Sequence, residues 1–235
     1  MNWTVGNCIK KGRIHEERNL ICQDSVYEMK TQGVSCIALA DGAGSRKLSD
    51  VGAELAVRQA CYCVSDHFEQ LWKETEKKIG YYICSEVIYR LRNYAEKMGC
   101  QVEELASTLL LLAVKDTRVL FYHLGDGLIG CQERDEVKIL SHPWNGRDEW
   151  HTALTTTKEV SYYARTGKRR LDQTVRFFLM SDGLTSILYN RRRHCFTKQA
   201  ERLLKGKIKQ QIPNFMEVYR SKLYDDSSII WMEQI

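Results

Sequence analysis

The 235-residue chain carries 35 basic and 30 acidic side chains, and its net charge of +5 is too small to indicate nucleic-acid binding. Nine scattered cysteines without a Cys-x-x-Cys pair favour a reduced cytoplasmic protein over a disulfide or zinc scaffold. No apolar stretch approaches the roughly 18–20 residues of a membrane span. We therefore expect one domain, residues 1–235, with no membrane or nucleic-acid partner.

The first strands form a predicted hairpin. Residues 24–29 and 34–40 have strand composition, and Thr31-Gln32-Gly33 between them is typical of a turn. Because paired antiparallel strands align residue by residue, this hairpin places Asp24 opposite Asp41. Two carboxylates would then share one end of one ribbon.

Two helices are predicted after this hairpin. Ser49 has the character of an N-cap, and apolar residues at helical spacing continue from it to Phe68. A second apolar series runs from Ile79 to Met98, and Gly99 is a typical helix end.

A second hairpin follows the helices. Residues 108–114 and 119–124 flank the turn Lys115-Asp116-Thr117, and the second strand delivers Asp126 to its end. Residues 128–140 continue as one or two strands.

The C-terminal part is less regular. Residues 141–172 are expected to form a surface excursion with a possible strand at 152–157. Pro213 suits the first turn of a final helix that reaches roughly Leu223, and residues 227–232 form a closing strand. The order of elements predicts an α+β domain with largely antiparallel sheets.

Carboxylates occur repeatedly where strands end or begin. Asp41, Asp126 and Asp182 follow apolar strands, and Asp225-Asp226 precedes the last one. A single Asp-Gly is more often a turn, but several at strand ends favour a site for two hard divalent ions. Such a pair of ions can hold a phosphate and activate water, which predicts phosphoester hydrolysis.

Other chemistries lack their motifs. The chain has no Gly-x-x-x-x-Gly-Lys-Ser/Thr loop and no Gly-x-Ser-x-Gly elbow. The basic run Arg191-Arg192-Arg193 is either a solvated loop or a patch that attracts an anionic substrate.

Five short blocks, in order, resemble the metal-dependent serine/threonine protein phosphatases of type 2C, in their compact bacterial branch. They span nearly the whole chain and are Cys22-Gln23-Asp24-Ser25, Ala40-Asp41-Gly42-Ala43-Gly44-Ser45, Leu124-Gly125-Asp126-Gly127, Met180-Ser181-Asp182-Gly183-Leu184 and Asp225-Asp226-Ser227-Ser228.

The resemblance implies a four-layer αββα sandwich, in which two mainly antiparallel sheets hold two Mn²⁺ or Mg²⁺ ions at one end. Asp41 would bridge both ions, and the Gly42 carbonyl would bind one of them. Asp182 and Asp225 would complete the shell of the other ion. The choice of Asp225 over Asp226 rests on aligning Asp-Asp-Ser-Ser with the family's Asp-Asn-x-Ser/Thr, and Asp226 could instead cap the turn.

The likeness also assigns supporting roles. Asp24, with Gln23 beside it, matches the acid that orients the attacking water, and Asp126 matches a ligand of a weaker third metal ion. Residues 141–172 would be the family's variable flap. The implied catalytic residues are Asp24, Asp41 and Asp182.

Two departures from the family pattern concern proton transfer and phosphate binding. Ala43 stands where many relatives have a histidine that protonates the leaving group. A metal-bound water or His15 is therefore the candidate proton donor.

The family's phosphate-binding arginine aligns with Asn19 when its spacing from the Gln-Asp pair is kept strictly. Arg18, one residue away, is our candidate, and Arg13 is a further one.

The resemblance therefore predicts hydrolysis of phosphoserine and phosphothreonine in proteins, by metal-activated water, with substrates supplied by a serine/threonine kinase in signalling. The alternative is a weak or inactive pseudophosphatase that acts as a regulatory binding module. A third option is hydrolysis of a small phosphorylated metabolite.

Overall fold

The computed structural model describes residues 2–144 and 152–234, which form two large β-sheets and a set of helices. The strands are β1 (Trp3–Lys10), β2 (Asp24–Thr31), β3 (Val34–Asp41), β4 (Leu109–Lys115), β5 (Arg118–Leu124), β6 (Leu128–Glu133), β7 (Glu136–Ser141), β8 (Arg165–Arg170), β9 (Val175–Met180), β10 (Tyr189–Asn190), β11 (Cys195–Phe196) and β12 (Ser227–Gln234). The α-helices are α1 (Arg13–Glu17), α2 (Ser49–Asp66), α3 (Phe68–Lys73), α4 (Glu76–Met98), α5 (Asp182–Leu188), α6 (Lys198–Lys205) and α7 (Ile208–Val218).

Both large sheets are antiparallel and have five strands. The first has the order β2-β3-β4-β5-β8, and the second has the order β1-β12-β9-β6-β7. Helices α2 and α4 cover the outer face of the first sheet, and α5, α6 and α7 cover the outer face of the second. The predicted α+β class and αββα sandwich are therefore confirmed.

Strand β3 shows how alternation builds these layers. Its residues Val34, Cys36 and Ala38 point into the core beneath the helices, whereas Ile37 and Leu39 point into the core between the sheets. Because successive side chains of a strand face opposite sides, a strand buried on both faces is apolar at nearly every position. The uninterrupted apolar run before Asp41 therefore reflects a central position in the sandwich.

The main helices follow their apolar periodicity. In α4, Ile79, Ile83, Val87 and Leu91 are buried on one face. Gly99 ends the helix in the left-handed conformation, at φ 66°, where glycine has no side chain to strain.

Two expectations about helix boundaries were wrong. Ser49 is the first residue of α2 and not its N-cap, because Leu48 holds that position and the Ser49 Oγ donates to the Arg46 carbonyl at 3.1 Å. Pro213 lies inside α7, which starts at Ile208, and not in its first turn. Packing of α7 on the second sheet outweighs the hydrogen bond that the missing proline N–H removes.

Residues 141–172 also differ from the expectation in part. Residues 152–157 are coil and turn and do not form the possible strand, whereas Arg165–Arg170 forms edge strand β8 of the first sheet. The predicted flap range therefore includes a strand of the sandwich. Residues 145–151 of that range lie outside the described residues.

All nine cysteines are free thiols. Within the described residues, we find no helix with the length and apolar character to cross a bilayer.

Candidate metal centre

The β2–β3 hairpin brings two carboxylates together, as its register requires. Asp24 and Asp41 are direct partners in the ladder, which confirms the pairing expected from the sequence. Asp24 is buried, and its Oδ2 accepts a hydrogen bond from the Ser228 hydroxyl at 2.6 Å. The backbone of Asp41 is held by Thr108, whose hydroxyl accepts from the Asp41 N–H at 2.9 Å and whose N–H donates to the Asp41 carbonyl at 2.8 Å.

Asp182 enters the same region as the first residue of α5. The preceding Ser181 is tied to β12, because its Oγ accepts from the Ser228 N–H at 2.9 Å and its N–H donates to the Ser228 carbonyl at 3.0 Å. Gly183 packs so closely that a Cβ there would lie 2.1 Å from the Asp226 carbonyl oxygen. The start of α5 is thus fixed against the start of β12.

Asp126 lies in the turn between β5 and β6. Gly125 has φ +107°, which favours glycine, and the Thr152 hydroxyl donates to Asp126 Oδ2 at 3.0 Å. Buried His123 supports this turn, with Nε2 2.9 Å from the Gly125 carbonyl and Nδ1 2.7 Å from the Ser141 hydroxyl. Burial lowers the pKa of His123 to about 3, so it is neutral, with Nε2–H as donor to Gly125.

These carboxylates interact with one another electrostatically. The charge of Asp41 is repelled by those of three others, Asp24, Asp182 and Asp225. Asp182 is repelled in addition by Asp126 and Asp225. We call these five residues the carboxylate cluster: Asp24, Asp41, Asp126, Asp182 and Asp225. The structure therefore brings together all the aspartates that the sequence singled out as metal ligands, with Asp24 beside them.

Burial is the larger cause, and repulsion between the carboxylates the smaller cause, of a rise in their pKa values. Together they raise the pKa of Asp24 to about 7 and that of Asp182 to about 6, and they raise the pKa of Asp41 well above its usual range. In the part of the chain that the structure describes, Oδ1 of Asp24 and Oδ1 of Asp182 are buried without a hydrogen-bond partner. Oxygen donors that repel one another and lack partners suit hard divalent cations, so the residues present fit such ions.

Asp225 and Asp226 are adjacent but differ in their contacts. Asp226 is buried, and its Oδ1 accepts from the Gly12 N–H at 2.7 Å. Its Oδ2 accepts from the Gln23 N–H at 2.6 Å and from His15 Nδ1 at 2.9 Å. Asp225 is exposed, and its Oδ1 accepts from the Asp226 N–H at 2.8 Å. We call Asp226 with Gly12, His15 and Gln23 the Asp226 anchor.

Possible ligand atoms of His15, Asp225 and Asp226 lie within 4.8 Å of one another. Both oxygens of Asp226 and Nδ1 of His15 are already engaged in the anchor. Asp225 is therefore the member of this group whose carboxylate is available to a cation.

Gln23 links the anchor to the first glycine-rich turn. Its Nε2 donates to the Ser49 hydroxyl at 2.7 Å, and its carbonyl accepts from the Gly42 N–H at 3.0 Å. A Cβ at Gly42 would lie 2.8 Å from the Ser49 carbonyl oxygen, so a glycine is needed at this close approach.

Comparison with known families identifies the family of the chain. A family model described as protein phosphatase 2C matches residues 11–217, which includes most of the chain. The chain belongs to the protein phosphatase 2C family. This membership places it among the serine/threonine protein phosphatases, which are enzymes.

Solved phosphatase structures share the fold over nearly the whole length. The S. agalactiae serine/threonine phosphatase is 16% identical with a TM-score of 0.67, and each chain is covered to 100%. Stp1 from Staphylococcus aureus is 15% identical with a TM-score of 0.72, over 100% of this chain and 96% of that one. The catalytic domain of the phosphatase PstP, in complex with two manganese ions, is 15% identical with a TM-score of 0.67, over 98% and 97%. No curated protein matches significantly by sequence.

Arg13 and Arg18, the two candidate phosphate-binding arginines, have different surroundings in this phosphatase. Arg13 pairs with Glu17 at 3.2 Å and lies over the Tyr224 ring at 4.6 Å. Arg18 is exposed at the C-terminal end of α1. In the part of the chain that the structure describes, no contact joins Arg18 to the carboxylate cluster, so its phosphate-binding role stays a prediction.

Several supporting residues of the phosphatase were missed by sequence reasoning. Thr108, Thr152, Ser181 and Ser228 hold the aspartates in place, and His123 supports the Asp126 turn. Most of these contacts join residues far apart in sequence, and a threonine or serine alone carries no signal of its partner.

Proposed function

We propose that this phosphatase hydrolyses phosphoserine and phosphothreonine in proteins at a centre of two divalent Mn²⁺ or Mg²⁺ ions. The observation that carries the proposal is the carboxylate cluster, because five aspartates from separate segments converge there. Two of them, Asp24 and Asp182, each have a buried Oδ1 without a hydrogen-bond partner among the described residues. The two manganese ions in the PstP structure, on the same fold, support the choice of metal.

We assign the ion-binding roles to residues of the cluster. Asp41, the Gly42 carbonyl, Asp182 and Asp225 would hold the two ions, and Asp126 would help to hold a weaker third. When bound, the ions would supply charge that polarises the phosphate and makes water more acidic.

Asp24 would orient the attacking water. Its Oδ2 is fixed by Ser228, and its buried Oδ1, which has no hydrogen-bond partner among the described residues, would accept a hydrogen bond from water. A fixed acceptor of this kind places the nucleophile in the direction of attack before reaction. In the Asp226 anchor, His15 donates through Nδ1, so its Nε2 takes no part in the hydrogen bonds of the anchor.

The testing experiment is phosphate release from a mixed set of phosphoserine and phosphothreonine peptides, with Mn²⁺, with Mg²⁺ and with chelator. We expect release that requires metal and falls by at least a hundredfold in Asp182→Ala, because a ligand carboxylate is lost. Full activity in this variant would exclude the assigned centre.

A regulatory binding module without catalysis is the second candidate. Ala43 in place of the histidine of many relatives, and the exposed position of Arg18, favour it. Mn²⁺ binding measured by thermal shift, without release from any peptide or small phosphoester, would support this candidate over the enzyme.

A further inference from the structure

Three consecutive arginines form the turn of a small hairpin after α5. Strands β10 and β11 pair with each other, and Arg191, Arg192 and Arg193 lie between them with exposed side chains. We call residues 189–196 the arginine hairpin. Among the described residues, no carboxylate forms an ion pair with these three side chains.

The hairpin is held by contacts that do not use its arginine side chains. The buried Tyr189 hydroxyl lies 3.0 Å from His142 Nδ1 and 3.2 Å from His194 Nδ1. The Arg193 N–H donates to the Asn190 side-chain oxygen at 3.0 Å, which shapes the turn. The arginine side chains are thus presented to solvent on a supported turn.

The hairpin lies beside the carboxylate cluster. Helix α5 runs from Asp182 to Leu188, so its seven residues place the base of the hairpin on the order of 10 Å from Asp182. Contacts also tie the base of the hairpin to the Asp126 turn. The Tyr189 hydroxyl lies 3.0 Å from His142 Nδ1, and the nearby Trp144 N–H donates to the carbonyl of Gly125, the residue before Asp126, at 3.3 Å.

Like charges this close repel one another, and none of the three arginines forms an ion pair with a described carboxylate. An anionic ligand would relieve this repulsion. An extended peptide advances about 3.3 Å per residue, so a side chain about three positions from a residue at the cluster would reach the hairpin.

We propose that the arginine hairpin is a substrate-recognition surface that binds acidic side chains about three residues from the phosphorylated serine or threonine. This inference rests on the proposed function, because it takes the carboxylate cluster as the place where the phosphate is hydrolysed. The substrate class is a phosphoprotein segment with acidic flanks.

The test uses two phosphothreonine peptides that differ only in glutamate or glutamine at three residues on either side of the phosphothreonine. We compare the wild type with Arg191→Gln/Arg192→Gln/Arg193→Gln. The matched control is Lys73→Gln/Arg90→Gln/Lys97→Gln, which removes the same charge from exposed positions on α3 and α4.

We expect the wild type to prefer the glutamate peptide by about tenfold in kcat/KM, mainly through KM, and less at high salt. In the hairpin variant the ratio of the two kcat/KM values falls to near one, and in the control it stays at the wild-type value. The same preference in the wild type and the hairpin variant would overturn the proposal, and so would a wild type without preference.

If neither peptide is hydrolysed with Mn²⁺ or Mg²⁺, the proposed function fails and the hairpin is judged by binding. Fluorescence anisotropy of the labelled peptides then compares the same three proteins. Tighter binding of the glutamate peptide that only the hairpin variant loses supports the recognition surface. Equal binding, or arginine-dependent binding of an oligonucleotide but not of the glutamate peptide, overturns it.

Discussion

The Asp226 anchor and the carboxylate cluster of this phosphatase are adjacent at Asp225-Asp226, but they differ in whether their aspartate oxygens accept hydrogen bonds. In the Asp226 anchor, both carboxylate oxygens accept hydrogen bonds from buried donors. In the carboxylate cluster, one oxygen each of Asp24 and Asp182 is buried and has no hydrogen-bond partner within residues 2–144 and 152–234. A satisfied carboxylate stabilises the fold, whereas an unsatisfied one costs stability and retains the capacity to bind a cation.

The largest expected effect comes from breaking the anchor. Asp226→Asn replaces an acceptor oxygen by an NH2 donor that must face either the Gly12 N–H or the Gln23 N–H, so we expect a loss of about 3–5 kcal/mol in the free energy of unfolding. Urea denaturation in chelator measures it. Asp225→Asn is the matched control, and its exposed side chain should cost less than about 0.5 kcal/mol. Equal losses in both variants would contradict the distinction between anchor and cluster.

The next effect concerns the pH dependence of the metal-free protein. Since the folded-state pKa values of Asp24 and Asp182, about 7 and about 6, lie above the unfolded value, the folded state binds more protons than the unfolded state. Their stabilising contribution is complete below about pH 4 and is lost as the pH rises through 6 to 7, on the order of a few kcal/mol.

Unfolding in chelator at pH 5 and pH 8 measures this change, with the lower stability expected at pH 8. Added Mn²⁺ should reverse the trend, because bound cations favour the charged carboxylates. Stability in chelator that rises from pH 5 to pH 8 would argue against repulsion in the cluster.

A smaller effect is expected when one cluster carboxylate is removed. Asp182→Ala relieves repulsion at Asp41 and Asp126, so at pH 8 in chelator we expect a gain of about 1 kcal/mol. Thermal unfolding with and without Mn²⁺ checks this. Stabilisation by Mn²⁺ equal to that of the wild type would remove Asp182 from the metal centre.

The smallest effect is expected at the edge of the cluster. Thr152→Val removes the hydroxyl that donates to Asp126 Oδ2, which should cost less than about 1 kcal/mol and weaken the weakest Mn²⁺ site a few-fold. Isothermal titration with Mn²⁺ is the measurement. Thr156→Val is the control, and similar titrations for both variants would show that the Thr152 contact is immaterial.

Much of the framework could be predicted from local patterns. Alternation and turn residues predicted the β2–β3 hairpin closely enough to place Asp24 opposite Asp41. The same approach was wrong for Pro213 and for residues 152–157, where packing on a sheet or an irregular connection decided the conformation. The Asp226 anchor could not be predicted, because its partners lie more than 200 residues away in sequence.

The sequence by itself determined where strands end in carboxylates and glycine turns, since these depend on side-chain periodicity and on the backbone freedom of neighbouring residues. Only the tertiary structure decided which carboxylate each buried donor would satisfy. Asp225 and Asp226 have the same side chain and adjacent positions just before β12, yet Asp225 is exposed and Asp226 is buried against Gly12, His15 and Gln23. Burial and long-range hydrogen bonding depend on the packed sandwich, and for that reason they separate a structural aspartate from one that is free to bind a cation.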